Sequence, residues 1–336
     1  MKINRKELLK KLEIIKASLA TSGEDLSQKA INFCESTVFG YNQTIFASAA
    51  LNNLDFEAST NGNKLITLIK KLKAEEVELS RKDGSLLIKA GNSRSKLPID
   101  GDIKIPANLV DCIPDKKLPS NFAEGIEEAM MSVGHRDKAY LNNIQIVGSD
   151  IQSTNNSSIT CFEMDESVDE EIFVPMVAAK YMKIMNPTHY SKEGGWLCFS
   201  NEEDEVLFCS RMMDTSNFPP LSQFREQLGE GEEIVFPDGF VDALDEANVF
   251  LKGIKEVKQT VIIESDGECV SVSVKNENGS NKTKLKTTCK CEYKVYLKPT
   301  YLIKTLKKKP KIQLAGGNIL KIEGEKFVHL INGGEK

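Results

Sequence analysis

Apolar residues recur along this chain with two periods, one helical and one of strand, and the alternation between them itself repeats. Over about Asn4 to Ala20, Leu8, Leu9, Leu12, Ile15 and Leu19 stand at helical spacing among charged positions, which predicts an amphipathic helix. A strand-like stretch, NNLDFEAS, follows near Asn52 to Ser59, and GNKLITLIKKLKA then places Leu65, Leu68, Ile69 and Leu72 on one face of a second helix. Two short alternating stretches, VELS and LLIKAG, close the unit through Lys82-Asp83-Gly84, whose Asp-Gly pair is a strong hairpin signal.

The order helix, strands, helix, strands returns twice more, at a spacing of about 115 to 120 residues. The second unit begins at LPSNFAEGIEEAMMSV, passes through YLNNIQIVG and ITCFEM, and reaches its second helix at PMVAAKYMKIM, from Pro175 to Met185. WLCFSN and VLFCSRMMD form its closing hairpin across the acidic run Glu202 to Glu205. The third unit runs from FPDGFVDALDEANVFL through VKQTVIIES and CVSVSVK to a second helix at KPTYLIKTLKK, and ends on KIQLAGG and LKIEGEKFVHLI. Seams are expected at about Ile105 to Pro119 and Asn217 to Phe236, where prolines and a Gly/Glu-rich stretch interrupt the pattern. The expected fold class is therefore α+β, with three repeated domains at 1–112, 113–220 and 221–336, each carrying two helices on antiparallel sheets.

Length agrees with this division, because 336 residues exceed what one hydrophobic core ordinarily holds. No stretch approaches the run of about 20 apolar residues that a membrane span needs. The charged N-terminal helix does not read as a signal peptide, so a cytoplasmic location with no membrane partner is expected. Eight cysteines in such a setting are expected to be reduced and mostly buried. Cys289 and Cys291 form a C-x-C on an expected strand, without a second pair at zinc-site spacing, so no metal and no cofactor are expected.

Charge is distributed unevenly. The net charge is −5, yet the second helix of each unit is basic: Lys64, Lys70, Lys71 and Lys73, then Lys180 and Lys183, then Lys304, Lys307 and Lys308. The N-terminal helix adds Arg5 and Lys10, whereas the first helices of units two and three are acidic. One basic helix face is ordinarily just a solvated surface, but the same placement in three repeats points to a shared surface for a polyanion. Lysine in place of arginine suits loose phosphate contact, so sequence-independent binding of double-stranded DNA is expected. Nothing in the chain reads as an enzyme: His135, His189 and His329 stand apart, and Ala315 to Asn318 reads as a hairpin turn and not a phosphate loop.

Several segments together resemble the beta subunit of bacterial DNA polymerase III, the sliding clamp, in bacteria or their phages. They are EVELSRKDGSLLIKAGNSRSKLPI, AYLNNIQIVG followed by STNNSSITCF, CSRMMDTSNFPPL, and YLKPTYLIKTLKK, in that order. The resemblance implies a non-catalytic processivity factor, a head-to-tail homodimer closing a ring around duplex DNA with helices lining the hole. It implies as partners a replicative polymerase, a clamp loader and other proteins bearing a short clamp-binding motif. By matching position it assigns Leu97, Phe250 and Leu251 to the dimer interface. It assigns a partner-peptide pocket to Leu141, Thr154, Ser158, Ile159, Pro219, Phe224, Tyr301, Leu320, Leu330 and Ile331. The family's Asp-Gly-His-Arg-Leu run is replaced here by Asn155-Asn156-Ser157-Ser158-Ile159, and its C-terminal Met-Pro-Met-Arg-Leu by Asn332-Gly333-Gly334-Glu335-Lys336. A clamp-fold scaffold that binds peptides without encircling DNA is the alternative reading.

Overall fold

The computed structural model describes residues 1–20, 26–99, 103, 112–134, 137–203, 205–221, 230–254, 259–315 and 319–332. Each repeat follows one order: a strand, a helix, four strands, a helix, three strands. The first holds β1 (Lys2–Asn4), α1 (Arg5–Ile15), β2 (Ala30–Cys34), β3 (Thr37–Tyr41), β4 (Ile45–Ala50), β5 (Ala58–Asn61), α2 (Gly62–Lys71), β6 (Glu76–Lys82), β7 (Ser85–Ala90) and β8 (Ser93–Pro98). The second holds β9 (Lys116–Lys117), α3 (Phe122–Ala129), β10 (Asn143–Val147), β11 (Asp150–Thr154), β12 (Ser158–Glu163), β13 (Ile172–Pro175), α4 (Met176–Met185), β14 (His189–Glu193), β15 (Trp196–Asn201) and β16 (Val206–Arg211). The third holds β17 (Glu232–Glu233), α5 (Phe240–Val249), β18 (Val261–Asp266), β19 (Cys269–Asn276), β20 (Gly279–Lys286), β21 (Glu292–Leu297), α6 (Pro299–Leu306), β22 (Lys311–Ala315), β23 (Ile319–Glu323) and β24 (Phe327–Asn332).

Two compact units result, Met1–Ser120 with Lys180–Met212, and Asn121–Ala179 with Met213–Lys336. They divide the second repeat because sheets run on from one repeat into the next. In the first unit an eight-stranded sheet has the order β5-β2-β3-β4-β16-β15-β14-β9. Its seam is the antiparallel pair β4 and β16, with Ala47 opposite Phe208. In the second unit the order is β13-β10-β11-β12-β24-β23-β22-β17, joined where β12 pairs β24. Each unit also holds a four-stranded sheet, β1-β6-β7-β8 in the first and β20-β19-β18-β21 in the second.

Local chemistry explains the helices. Asn4 Oδ1 accepts from the Lys6 amide at 2.9 Å and starts α1, and Asn61 Oδ1 accepts from the Lys64 amide at 3.0 Å and starts α2. Leu8, Leu12 and Ile15 of α1 and Leu65 and Ile69 of α2 are fully buried, as their spacing predicts. Gly125 lets α3 lie close on its sheet: a Cβ there would stand 2.5 Å from the Ile151 side chain and 2.6 Å from Phe162. The Asp83-Gly84 turn has φ of 50° and 68°, the left-handed pair that a two-residue hairpin needs. Among the described residues no helix is long and apolar enough to cross a membrane.

Several expectations need correction. The first helix ends at Ile15 and continues only as a 3-10 turn over Lys16–Ser18. NNLDFEAS is mostly turn and loop, with Asn53 at φ 65°, and only its end enters β5, because Asn and Asp favour turns over ladders. Cys289 and Cys291 lie in the loop before β21, not on a strand, with sulfurs 3.1 Å apart. Cys198 and Cys209, directly opposite on β15 and β16, form a disulfide and are not reduced thiols. Much of both expected seams, and residues 316–318 of the expected turn after Ala315, lie outside the described residues, although β22 and β23 on either side pair as a hairpin.

Candidate functional site

A groove of about 280 Å³ lies in the second unit beside the β12–β24 join. Its walls are Thr154, Asn156, Ser157, Ser158, Ile159, Pro219, Leu221, Ile319, Leu330 and Asn332. Such a floor of aliphatic side chains with a polar rim suits a short peptide bearing apolar anchors. The rim is rigid. Asn155 Oδ1 accepts from the amides of Ser157 at 3.0 Å and Ser158 at 2.8 Å, and the Thr154 hydroxyl donates to the Ser158 carbonyl at 2.8 Å.

Five of the residues assigned to this pocket by resemblance line it: Thr154, Ser158, Ile159, Pro219 and Leu330. Leu141, Leu320 and Ile331 are buried and do not line it. Leu320 pairs with Ile331, and Ile331 with Ser158, so the two aliphatic residues continue the Ser158 row beneath the groove. Tyr301 sits on α6, with the ammonium groups of Lys298 and Lys304 5.8 and 5.9 Å from its ring. Phe224 lies outside the described residues. Asn156, Ser157, Leu221, Ile319 and Asn332 were missed. The Asn-Asn-Ser-Ser run signals a turn, but nothing in the sequence says that it rims a groove.

Behind the groove strands runs a buried polar network. His329 Nδ1 is 2.8 Å from Thr160 Oγ1, whose hydroxyl is 2.8 Å from Ser132 Oγ. His329 Nε2 is 3.0 Å from Glu128 Oε2, and Lys308 Nζ is 2.8 Å from Glu128 Oε1. Burial alone would raise the Glu128 carboxyl, but the hydrogen bonds from His329 and Lys308 overcome it and hold the group at about 2. Burial pushes His329 below its ordinary value against the pull of Glu128. His329 is thus a packing residue that ties β12 and β24 to α3 and α6. Ser132, Thr160 and His329 are 0 % exposed and Glu128 is 5 % exposed, whereas Lys308 reaches the surface.

The basic residues divide between the two units. In the first, Lys10, Lys64, Lys70, Lys71, Lys73, Lys180 and Lys183 are exposed and Arg5 is half-buried. Glu13 of α1 lies 3.7 Å from both Lys16 and Lys70, and its charge, after burial, helps raise the Tyr181 hydroxyl of α4. Helices α1, α2 and the end of α4 therefore meet around Glu13. In the second unit Lys304 pairs with Glu127 at 2.6 Å and Lys308 with Glu124 at 2.5 Å, while Lys307 is exposed. Helix α6 ends at Leu306, so Lys307 and Lys308, expected on the helix, stand in the turn after it; Lys304 and Lys308 lie beside the acidic α3 and are partly neutralised.

Leu97 is half-buried on β8, an outer strand of its sheet. Phe250 approaches Gly279 at the start of outer strand β20, where an added Cβ would meet its ring at 3.2 Å. Leu251 is 2 % exposed, inside its own unit.

Three copies of one eight-strand, two-helix repeat, with sheets continuing through the repeat boundaries, define a sliding-clamp fold. No protein-family model matches the sequence, and no curated protein matches it. Among solved structures, the chain is similar along its whole length to the DNA polymerase III beta subunit of Thermotoga maritima, at TM-score 0.68 and 14% identity over 99% of that chain. It is also similar to the DNA polymerase sliding clamp of Bacillus subtilis (0.62, 15%, 98% of that chain) and to the Helicobacter pylori beta clamp bound to a DNA ligase peptide (0.62, 14%, 99% of that chain). In each case 100% of the present chain is covered. The protein has the fold of the bacterial DNA polymerase III beta subunits.

Proposed function

We propose that this protein is a replicative sliding clamp, a non-catalytic ring of two copies that encloses duplex DNA and tethers partners through the β12–β24 groove. The observation carrying this reading is an unfinished pattern of strand pairing. The fourth strand of the first repeat, β4, pairs with the eighth strand of the second, β16, and β12 likewise pairs with β24. By the same rule β20 of the third repeat calls for β8 of the first. Both are outer strands, and neither pairs on its outer side among the described residues. A second copy supplies each missing partner, which gives one heterologous contact used twice and a closed ring.

In that ring the lysines of α1, α2, α4 and α6 face the duplex. Topology, and not tight contact, keeps the ring on DNA, so a weak and sequence-independent attraction suffices. The domain ranges 1–112, 113–220 and 221–336 place three such modules per copy. A replicative polymerase, a clamp loader and other motif-bearing proteins would compete for the groove, as the DNA ligase peptide occupying the Helicobacter pylori clamp suggests. The burial of Ser132, Thr160 and His329 fits a role without catalysis, and a cytoplasmic location fits the replication role.

The test is solution mass together with retention on nicked circular DNA after loading. A species near twice 37.3 kDa that stays on circles and slides off linear DNA is the expected result. A monomer at micromolar concentration that is not retained on circles overturns the reading and leaves the peptide-binding scaffold.

A further inference from the structure

Among the described residues, three sulfurs of the first unit gather outside the groove. The Sγ atoms of Cys112, Cys198 and Cys209 all lie within 4.8 Å of one another. Cys198 and Cys209 are 1 % and 0 % exposed and share an apolar cluster with Phe39, Phe46 and Trp196. Cys112 precedes β9 by sequence, packs against the cluster from a half-buried position, and lies 3.4 Å from the Ser191 hydroxyl. Two of the three are joined as a disulfide.

We propose that the reduced protein holds a zinc-class divalent cation on the thiolates of Cys112, Cys198 and Cys209. A zinc–sulfur bond is about 2.3 Å, so tetrahedral ligand sulfurs stand about 3.8 Å apart. Three sulfurs already inside 4.8 Å reach that spacing by side-chain adjustment, with the backbone held by the β15–β16 ladder. Soft thiolates select such a cation over magnesium or calcium. The Ser191 hydroxyl, or water entering past the half-buried Cys112, completes the fourth position. Three thiolates and a divalent cation leave one negative charge, and the Arg211 guanidinium stands 4.5 Å over the Trp196 ring at the edge of the same cluster.

Opening the site requires a reductant, and low-molecular-weight thiols supply it. Two of them become one external disulfide as the Cys198–Cys209 bond breaks, and each protein sulfur gains a hydrogen. Metal entry then releases one proton from each of the three thiols. Disulfide and metal are therefore alternative occupants of one site.

The experiment uses full-length protein carrying Cys289→Ser and Cys291→Ser, which removes the C-x-C pair from the background. After thiol reduction, proven by alkylation and mass measurement, the reductant is removed without oxygen. Cadmium chloride is then titrated while the thiolate-to-cadmium charge-transfer band is followed. One cadmium per chain, displaced by zinc, is expected, with no band before reduction. Adding Cys112→Ser should weaken binding more than about 100-fold, because even outer-shell changes cost 10- to 100-fold. A reduced protein without the band, or a Cys112→Ser variant that binds as tightly as its parent, overturns the proposal.

Discussion

Thr160 and His329 stand directly opposite each other on β12 and β24, with Oγ1 and Nδ1 2.8 Å apart. The same two strands carry Ile159 and Leu330 on the groove side, so the buried pair pins the floor on which a peptide would rest. Removing His329 would leave Glu128 held by Lys308 and the Thr305 hydroxyl, and would open a cavity in the sheet. His329→Ala is expected to lower stability by about 2 to 4 kcal/mol. Urea unfolding and faster hydrogen exchange at the β12 and β24 amides would measure it.

Acid should weaken the second unit in two stages of the same sign. His329 titrates below its unfolded value, so its contribution is complete above about pH 6.5 and is lost as pH falls toward the folded value. Glu128 is held at about 2 against 4.5, a contribution on the order of 3 kcal/mol at most, lost as pH falls between those values. Urea midpoints should be flat above about pH 6.5 and decline below it, with a further loss below about pH 4.5. In His329→Gln the decline should begin only where carboxylates start to protonate.

The groove gives a separate test. Leu330→Arg or Ile159→Arg would place a guanidinium among Leu221, Ile319 and Pro219. Affinity for a fluorescent clamp-motif peptide is expected to fall more than about tenfold, from desolvation of the charge alone. Circular dichroism should be unchanged in Ile159→Arg, since Ile159 is only half-buried, whereas Leu330 is buried and its variant should also lose stability.

Lysines with and without acidic neighbours should behave differently. Lys71→Glu lies on the exposed face of α2 and is expected to weaken DNA binding and lower the salt slope by about one, at constant stability. Lys308→Glu would face Glu124 and Glu128, so it should also destabilise the fold by about 1 kcal/mol or more. Filter binding across a salt series, paired with urea unfolding, separates the two effects.

Ring closure should respond to salt in an unusual sense. The exposed face of β8 carries Arg94 and Lys96, and that of β20 carries Lys282, Lys284 and Lys286. Pairing these edges brings like charges together, so raising ionic strength from about 0.05 to about 0.5 M should tighten the dimer by screening. Sedimentation velocity would show it. Leu97→Asp, which puts a carboxylate on the half-buried side of β8, should give a species of 37.3 kDa.

Periodicity alone carried much of this far. Helix faces such as Leu65 and Ile69, the Asp83-Gly84 hairpin and the threefold order of elements are local consequences of side-chain spacing and turn chemistry. Strand β2 carries no local signal, because burial on both faces leaves AINFC without the alternation that marks a strand. Half of the groove's lining was legible only through resemblance, and Leu221 and Ile319 carry no local signal at all.

What the sequence determined by itself was therefore the kind of module, its three copies and the basic character of particular helices. Tertiary structure decided which repeat donates strands to which sheet, and hence that the compact units cut through the second repeat. It also decided that Lys304 and Lys308 meet glutamates, that His329 meets Thr160, and that Cys112 meets a disulfide 86 and 97 positions along the chain. The physical reason is range: spacing and turn propensity act over a few neighbouring residues, whereas hydrogen bonds, ion pairs and sulfur contacts depend on proximity that only the folded sheets create.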